Sequence, residues 1–186
     1  MRMFKRFARD NSAVAAVEMA LIFPVFMLFL MGCFEVTRLV IINQKMARAS
    51  ASMADLVAQA DDPLTQAQLN DLYSAAQNLM APYDLQDNGR VIVSSLINPA
   101  NAAQPTITWQ RFSSGTFSAV SHFGVQGAQA ANLPVGLVVR PEDNVIVAEV
   151  FYFYSPIFAN ILYTGTVFHT EAFNRVRNNN LLTPPS

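Results

Sequence analysis

The sequence is poor in cysteine, histidine and charged residues, and each shortage excludes a class of site. A single cysteine, Cys33, excludes an internal disulfide framework, and no second thiol is available to complete a metal site. The two histidines, His122 and His169, lie in unrelated local settings without an HExxH pattern or a close acidic partner. The sequence also lacks a P-loop, a dinucleotide fingerprint and a G-x-S-x-G motif. We therefore expect no metal, no cofactor and no enzymatic activity.

Charge is sparse and unevenly distributed along the chain. The 186 residues include 12 Lys and Arg against 13 Asp and Glu. Residues 1–12 carry a net charge of +3, whereas residues 61–186 hold 5 basic and 9 acidic residues. The C-terminal part therefore lacks the basic stripe that binds nucleic acid. The length allows one domain of ordinary size beside a membrane segment.

A long apolar run follows a basic leader at residues 1–13. No charged residue interrupts the 16 positions from Met19 to Phe34. Because a helix needs about 20 mostly apolar residues to cross a bilayer core, residues 14–42 are predicted to be a transmembrane helix. The basic leader favours a cytoplasmic N-terminus by the positive-inside rule. We predict a single-pass protein of the inner (cytoplasmic) membrane with its C-terminal domain on the periplasmic side.

Two other interpretations of the apolar run stay open. A cleaved secretory signal also begins with a basic region, but its apolar part needs only about 7–15 residues, and Glu18 would be a liability in it. A lipoprotein signal is suggested by Leu-Met-Gly-Cys at residues 30–33. Met31 is larger than the residue usual at that position, and apolar sequence continues past Cys33. Lipidation there would indicate a membrane-tethered extracytoplasmic binding domain as the alternative function.

Charged residues at the two ends of the run need partners. A charge within a membrane helix costs about 2.5–3.5 kcal/mol on insertion scales, so Glu18 is expected to be paired or functional. A suitable partner is the α-ammonium group of a neighbouring helix, created by cleavage a few residues upstream. Alternatively, Glu18 reaches back to the cytoplasmic headgroups. Glu35 and Arg38, three residues apart near the outer boundary, are predicted to form an ion pair.

The N-terminal residues resemble a known family. Residues 9–21, with the sequence RDNSAVAAVEMAL, and then Pro24 are similar to the N-terminus of TadE-like pseudopilins of the tight-adherence (Flp) pilus system. Residues 145–158, an aromatic strand closed by a proline, are similar to a strand near the C-terminus of that family. The resemblance implies a minor pseudopilin that acts in assembly of a type IV pilus. Its implied partners are prepilin peptidase, other pilins or pseudopilins, and the inner-membrane assembly platform.

The same resemblance assigns roles to individual residues. It places processing between Ala13 and Val14, and it gives Glu18 and Met19 roles in assembly and peptidase recognition. Two positions depart from the family, which usually has Gly at residue 13 and Phe or Tyr at residue 19. Because Ala restricts the backbone more than Gly does, slow or absent cleavage is an open alternative. The uncut protein would still be anchored by the same helix.

Beyond the apolar run the helix is predicted to continue outside the membrane, as an extension over residues 43–62. Apolar residues recur there at alternating steps of three and four, as on a helix that packs along one face. The acidic pair before Pro63 is expected to end this extension. Pro24 should bend or locally open the helix because it lacks an amide proton. The apolar seam consists of Leu39, Ile42, Met46, Ala49, Met53, Leu56 and Ala60.

Residues 63–177 are predicted to form an extracytoplasmic α+β domain with an antiparallel sheet. A helix over residues 64–81 opens this domain, and a short helix is expected near Ala128 in the long connection at residues 113–136. Residues 178–186 are expected to form a flexible polar tail. The fold class is therefore α+β and pilin-like, with a long N-terminal helix followed by a small domain. The predicted strands span residues 90–97, 105–112, 144–154 and 168–177.

Overall fold

The computed structural model describes residues 11–60, 64–99, 102, 104–141, 143–158, 165–177, 184 and 185, with side chains from Val14 onward. The leader at residues 1–10, the stop at residues 61–63 and most of the tail after residue 177 lie outside the described residues. The helices are α1 (Asn11–Ala58), α2 (Gln66–Met80) and α3 (Leu85–Asn88). The strands are β1 (Gly89–Ile97), β2 (Thr106–Phe112), β3 (Asn144–Tyr154) and β4 (Thr166–Arg175).

The chain divides into two compact units, which we call the helix unit and the sheet unit. The helix unit comprises residues 1–40 and 156–163. The sheet unit comprises residues 41–155 and 164–186. The first half of α1 belongs to the helix unit, and its second half belongs to the sheet unit.

Within the helix unit, α1 is continuous through Pro24. It is long and apolar enough to cross a membrane, and none of its most apolar stretch is buried inside the protein. A helix that is apolar on all sides and unburied in its own chain has the surface of a membrane span. The first half of α1 is therefore a possible single-pass membrane anchor.

Within the sheet unit, the second half of α1 buries one stripe of apolar side chains. Ile42, Met46 and Met53 of the predicted seam are buried, as is Ala49. The seam is wrong at Leu56, which is 44% exposed while Val57 is fully buried. A straight α-helix turns once in about 3.6 residues, so a stripe drifts away from a strict heptad spacing over several turns.

Helix α2 begins at a capping box. The Thr65 hydroxyl accepts a hydrogen bond from the backbone N–H of Gln68 at 3.2 Å, and the Gln68 side chain accepts one from the Thr65 N–H at 2.9 Å. Because the cap satisfies amides that lack intrahelical partners, the helix starts just after Thr65. It ends at Met80, two residues before Pro82. The predicted helix is confirmed with these shorter bounds.

The four strands form one antiparallel sheet in the order β2-β1-β3-β4. β3 is central, and it pairs with β1 from Asn144 to Tyr152 and with β4 from Val145 to Tyr154. The predicted α+β class and antiparallel sheet are confirmed. The last strand begins at Thr166, two residues before its predicted start.

Both faces of the sheet are covered. On one face, buried residues of three strands pack against the long connection that precedes β3. On the other face lies Asn174, the cross-strand partner of Ile146, and its Nδ2 donates a hydrogen bond to Asp55 Oδ1 of α1 at 2.8 Å. The sheet therefore lies between this connection and the second half of α1. The first cluster contains Leu96, Ile107, Phe123, Ala130, Val139, Val145 and Val147.

The short helix predicted near Ala128 is wrong. The segment forms turns and an isolated antiparallel bridge between Thr106 and Gln129. The Ile107 N–H donates to the Ala128 carbonyl at 3.0 Å, which extends the edge of the sheet. Gly127 has a φ of 86°, a conformation that glycine adopts without steric cost and that a helix does not use.

Candidate functional site

The residues predicted for processing and assembly lie at the start of α1. Val14, Glu18 and Met19 are exposed there. The backbone of Ala13 is helical, and its side chain lies outside the described residues. Because Val14 and Glu18 are four residues apart, they lie on one face about 6 Å apart along the axis. The structure therefore places Val14 and Glu18 about one helical turn apart on the same face of α1.

Exposed apolar side chains surround α1 after Glu18. Three consecutive residues, Leu21, Ile22 and Phe23, point in different directions around the helix, and all three are exposed. The same holds further along the helix, at Phe26, Leu28 and Phe29. Cys33 is also exposed, and the helix continues through it without a break. This surface can pack on lipid or on other apolar helices in any direction.

At the far end of the helix unit, Glu35 and Arg38 lie close to each other. Glu35 Oε1 lies 4.0 Å from Arg38 Nη1, and Glu35 is only 8% exposed. The backbone N–H of Ile157 also points at this carboxylate, 3.3 Å from Oε1 and 3.4 Å from Oε2. Sequence reasoning missed this contact because it joins residues 122 positions apart.

A second buried carboxylate, Glu149, lies in the sheet unit. It is fully buried on β3. It accepts hydrogen bonds from the Ser121 hydroxyl and from the His122 backbone N–H, the latter at 2.8 Å. Its Oε1 lies 3.1 Å from Nε2 of His169 on β4. Through these hydrogen bonds, Glu149 connects the long segment before β3 to strands β3 and β4.

The interpretation of the two histidines as residues in unrelated settings is wrong. Their ring centres lie 5.5 Å apart, and Glu149 is an acidic partner of His169. His169 also stacks on Phe151, its cross-strand neighbour, at 4.4 Å. The sequence signal that could have revealed this cluster is Glu149, an acidic residue in the middle of an apolar strand. A carboxylate at such a position is buried only when hydrogen-bond or charged partners surround it.

The hydrogen bonds of this cluster join the connection before β3 to the sheet. Because the Ser121 hydroxyl donates to Glu149, its proton is directed at the carboxylate and not at an imidazole, unlike the serine of a nucleophilic triad. Among residues 11–60, 64–99 and the later described segments, no group of three His, Cys, Asp or Glu is placed to hold a metal ion. The donors around Glu149 instead fix one arrangement of the connection.

A cleft of about 350 Å³ lies between α2 and the start of β1. Its described lining consists of carboxamides, hydroxyls and apolar side chains, including Asn70, Gln77 and Tyr73. Burial raises the pKa of Tyr73, and this effect outweighs the opposite effect of Arg111 and Arg90. The buried Tyr73 hydroxyl has no hydrogen-bond partner within the described part of the chain.

Comparison with known proteins points to the first half of the chain. Residues 13–55 match the family model described as TadE-like protein. The match begins at Ala13 and includes Glu18, Met19, Glu35 and Arg38, and it confirms the resemblance found in the sequence. At a stringent level of significance, no curated protein and no solved structure matches the chain.

Proposed function

We propose that this chain is a minor pseudopilin-type subunit needed for assembly of a tight-adherence (Flp) type IV pilus. The match of residues 13–55 to the TadE-like family model, which links the chain to the tight-adherence (Tad) pilus system, supports this proposal. The subunit acts without catalysis, by helix bundling and protein contacts. The observation that carries this proposal is the first half of α1, which is exposed and apolar on all sides and carries Glu18 near its start.

Anchoring is the first part of the proposed function. The first half of α1 crosses the inner membrane, with the basic leader in the cytoplasm and the sheet unit outside it. Three observations support this part: the length of the helix, its unburied apolar surface and the positive charge that precedes it. Its continuity through Cys33 favours an ordinary helix residue there over a lipidated N-terminus.

Bundling is the second part. An uncompensated Glu18 is costly in hydrocarbon, so the carboxylate favours states in which another helix supplies a positive group. Prepilin peptidase, by cutting between Ala13 and Val14, creates such a group on each copy or on another pilin. The Glu18 carboxylate then makes the association of α1 with processed neighbouring helices more favourable than an isolated α1 in the bilayer. The neighbours are other pilins or pseudopilins and the inner-membrane assembly platform.

Complementation of a strain that lacks this protein tests the bundling role. Glu18→Gln keeps the shape of the side chain and removes its charge, so we expect normal amounts in the membrane and a loss of most surface pili. Asp71→Asn removes an exposed carboxylate from α2 and serves as the matched control, with pili at the wild-type level. Wild-type piliation in Glu18→Gln cells would contradict the role of Glu18.

The mass of the intact protein from membranes tests processing. We expect a mass that lacks residues 1–13, with Val14 as the first residue. Ala13→Gly restores the residue usual in the family and should speed cleavage, whereas a bulky Ala13→Leu should block it. A full-length mass in assembled complexes would show that the processing site is wrong and would leave anchoring by α1 intact.

A further inference from the structure

The connection between β3 and β4 has an unusual composition. From Val150 to Phe168 the sequence has no Asp, Glu, Lys or Arg. Residues 156–163, with the sequence PIFANILY, contain one carboxamide and otherwise apolar or aromatic side chains. Connections between strands usually run over the surface in contact with water and are polar. This connection has instead the composition of a segment that contacts lipid at the membrane boundary.

The structure places the start of this connection against α1, within the helix unit. The Ile157 N–H points at the Glu35 carboxylate. The Phe158 ring packs edge-on against Phe34, with the ring centres 6.1 Å apart. Residues 156–158 therefore lie at the level of Phe34 and Glu35 along the helix.

The polar groups at this level face inward, and apolar side chains face outward. Glu35 is buried between Arg38 and the Ile157 amide. Ile157 is 57% exposed and Phe158 is 38% exposed, and they lie beside the exposed ring of Phe34. An apolar surface of this kind is unfavourable in water. It is favourable in lipid, because the backbone amide of Ile157 and the carboxylate already have partners.

The length of α1 places this level at a bilayer boundary. A helix from Val14 to Phe34 is about 30 Å long, at about 1.5 Å per residue. The hydrocarbon core of a bilayer is also about 30 Å thick. If Val14 lies at the cytoplasmic boundary, Phe34 and Phe158 lie at the outer one, where aromatic side chains are favoured.

We propose that residues 156–158, at the start of the connection between β3 and β4, enter the outer boundary of the lipid bilayer beside α1 and form a second membrane contact of this protein. The inference rests on the proposed function, because it requires α1 to span the membrane. The ligand is the region between headgroups and acyl chains of a bilayer, and the contact is made by Ile157 and Phe158. The Glu35–Arg38 pair marks the depth at which the span ends.

Depth-dependent fluorescence quenching tests the proposal in the full chain. In a Cys33→Ser background, single cysteines are introduced by Ile157→Cys, Phe29→Cys and Val135→Cys, labelled with an environment-sensitive dye and reconstituted into vesicles of phosphatidylcholine and phosphatidylglycerol. Phe29 lies within the apolar half of α1, and Val135 is fully exposed in the sheet unit. Phe158→Cys provides a second label position in case Ile157→Cys disturbs the fold.

The expected result is a graded pattern. Lipids brominated near the headgroup should quench the dye at residue 157, lipids brominated midway along the acyl chain should quench the dye at residue 29, and neither should quench at residue 135. Aqueous iodide should quench strongly only at residue 135. If lipid quenches the dye at residue 29 while the dyes at residues 157 and 158 respond only to iodide, the proposed second membrane contact is wrong. The proposal that α1 anchors the protein would be unaffected.

Two further outcomes would overturn the proposal in other ways. Dyes at residues 157 and 158 that resist both iodide and brominated lipid would show that protein covers the connection. Failure of brominated lipids to quench at residue 29 would show that α1 does not span the bilayer. That result would overturn the anchoring proposal, and this inference with it.

Discussion

From Val14 to Phe34, α1 exposes large apolar side chains in every direction, whereas from Ile42 to Val57 it buries one stripe and exposes the rest. One helix thus carries two surfaces that need different surroundings. The first is suited to lipid or to other apolar helices, and the second requires the sheet of the same chain. The difference shows that apolar content alone does not identify a core, because the direction of the apolar residues around the helix decides what they pack against.

The largest expected difference between the two halves of α1 is the effect of an introduced charge on the stability of the sheet unit. Met46→Asp introduces a carboxylate at a fully buried position and should destabilise the sheet unit by more than about 4 kcal/mol. Leu28→Asp places the same charge on an exposed position of the first half and should leave the sheet unit folded. Emission of Trp109, the single and fully buried tryptophan, reports unfolding in detergent.

Production of the Leu28→Asp variant in cells tests whether the first half of α1 faces lipid. Leu28→Asp should lower the amount of protein recovered from membranes, since a charge near the centre of a span costs about 2.5–3.5 kcal/mol on insertion scales. Equal membrane recovery of Leu28→Asp and wild type would contradict a lipid-facing first half.

A smaller change tests the limit of the buried stripe. Met53→Ala should cost about 2–5 kcal/mol, because it leaves a cavity in a packed core. Leu56→Ala removes a similar volume three residues away, where the side chain is largely exposed, and should cost less than about 1 kcal/mol. Urea unfolding followed by Trp109 emission measures both. Equal costs would show that the stripe is misplaced.

Glu149 provides the next test, away from α1. Glu149→Gln replaces a buried acceptor of several hydrogen bonds with a group that has one acceptor oxygen, and should cost about 1.5–3 kcal/mol. Glu171→Gln changes a partly exposed carboxylate 4.0 Å from the same His169 and should cost less than about 1 kcal/mol. Protease digestion within residues 113–141 should accelerate in Glu149→Gln only. Unchanged digestion would contradict the role of Glu149 in holding this connection.

The smallest expected effect at neutral pH is that of Tyr73→Phe. Removing a buried hydroxyl without a partner in the described residues should leave stability unchanged or raise it by up to about 1 kcal/mol. Because burial raises the pKa of Tyr73, the folded state keeps the proton that the unfolded chain loses above pH about 10. The wild type should therefore lose up to about 1.4 kcal/mol per pH unit above that point.

The difference between wild type and Tyr73→Phe isolates this titration from the other tyrosines. Unfolding free energies measured from neutral to alkaline pH should fall more steeply for the wild type. Parallel curves would show that Tyr73 titrates alike in both states and that its burial has no effect on stability.

The sequence predicted the elements whose signal is periodic or continuous. The apolar run of α1, its buried stripe and the uninterrupted β3 were each visible in neighbouring residues. The structure departs from them by one or two positions at Leu56 and Thr166, and it ends α1 at Ala58, before the predicted end of the extension at residue 62. The family resemblance also came from neighbouring residues, those around Glu18.

The contacts that the sequence could not show join distant positions. The Ile157 amide reaches Glu35 only after β3 has crossed the sheet, and Ser121, His122 and His169 meet at Glu149 through strand register. Near Ala128, turn geometry at Gly127 overrode the helical composition. At Glu35 and Glu149, the local sequence does not reveal the contact, because the hydrogen-bond partner lies on a distant segment of the chain.

We propose that the exposed half of α1 enters assemblies because neighbouring helices neutralise Glu18. Wild type and Glu18→Gln with different mass tags should be produced together in one cell and quantified in membranes and in detergent-extracted assembly complexes. We expect equal amounts in membranes and at least about tenfold enrichment of the wild type in the complexes, which corresponds to roughly 1.4 kcal/mol. An identical ratio in both fractions would contradict this proposal.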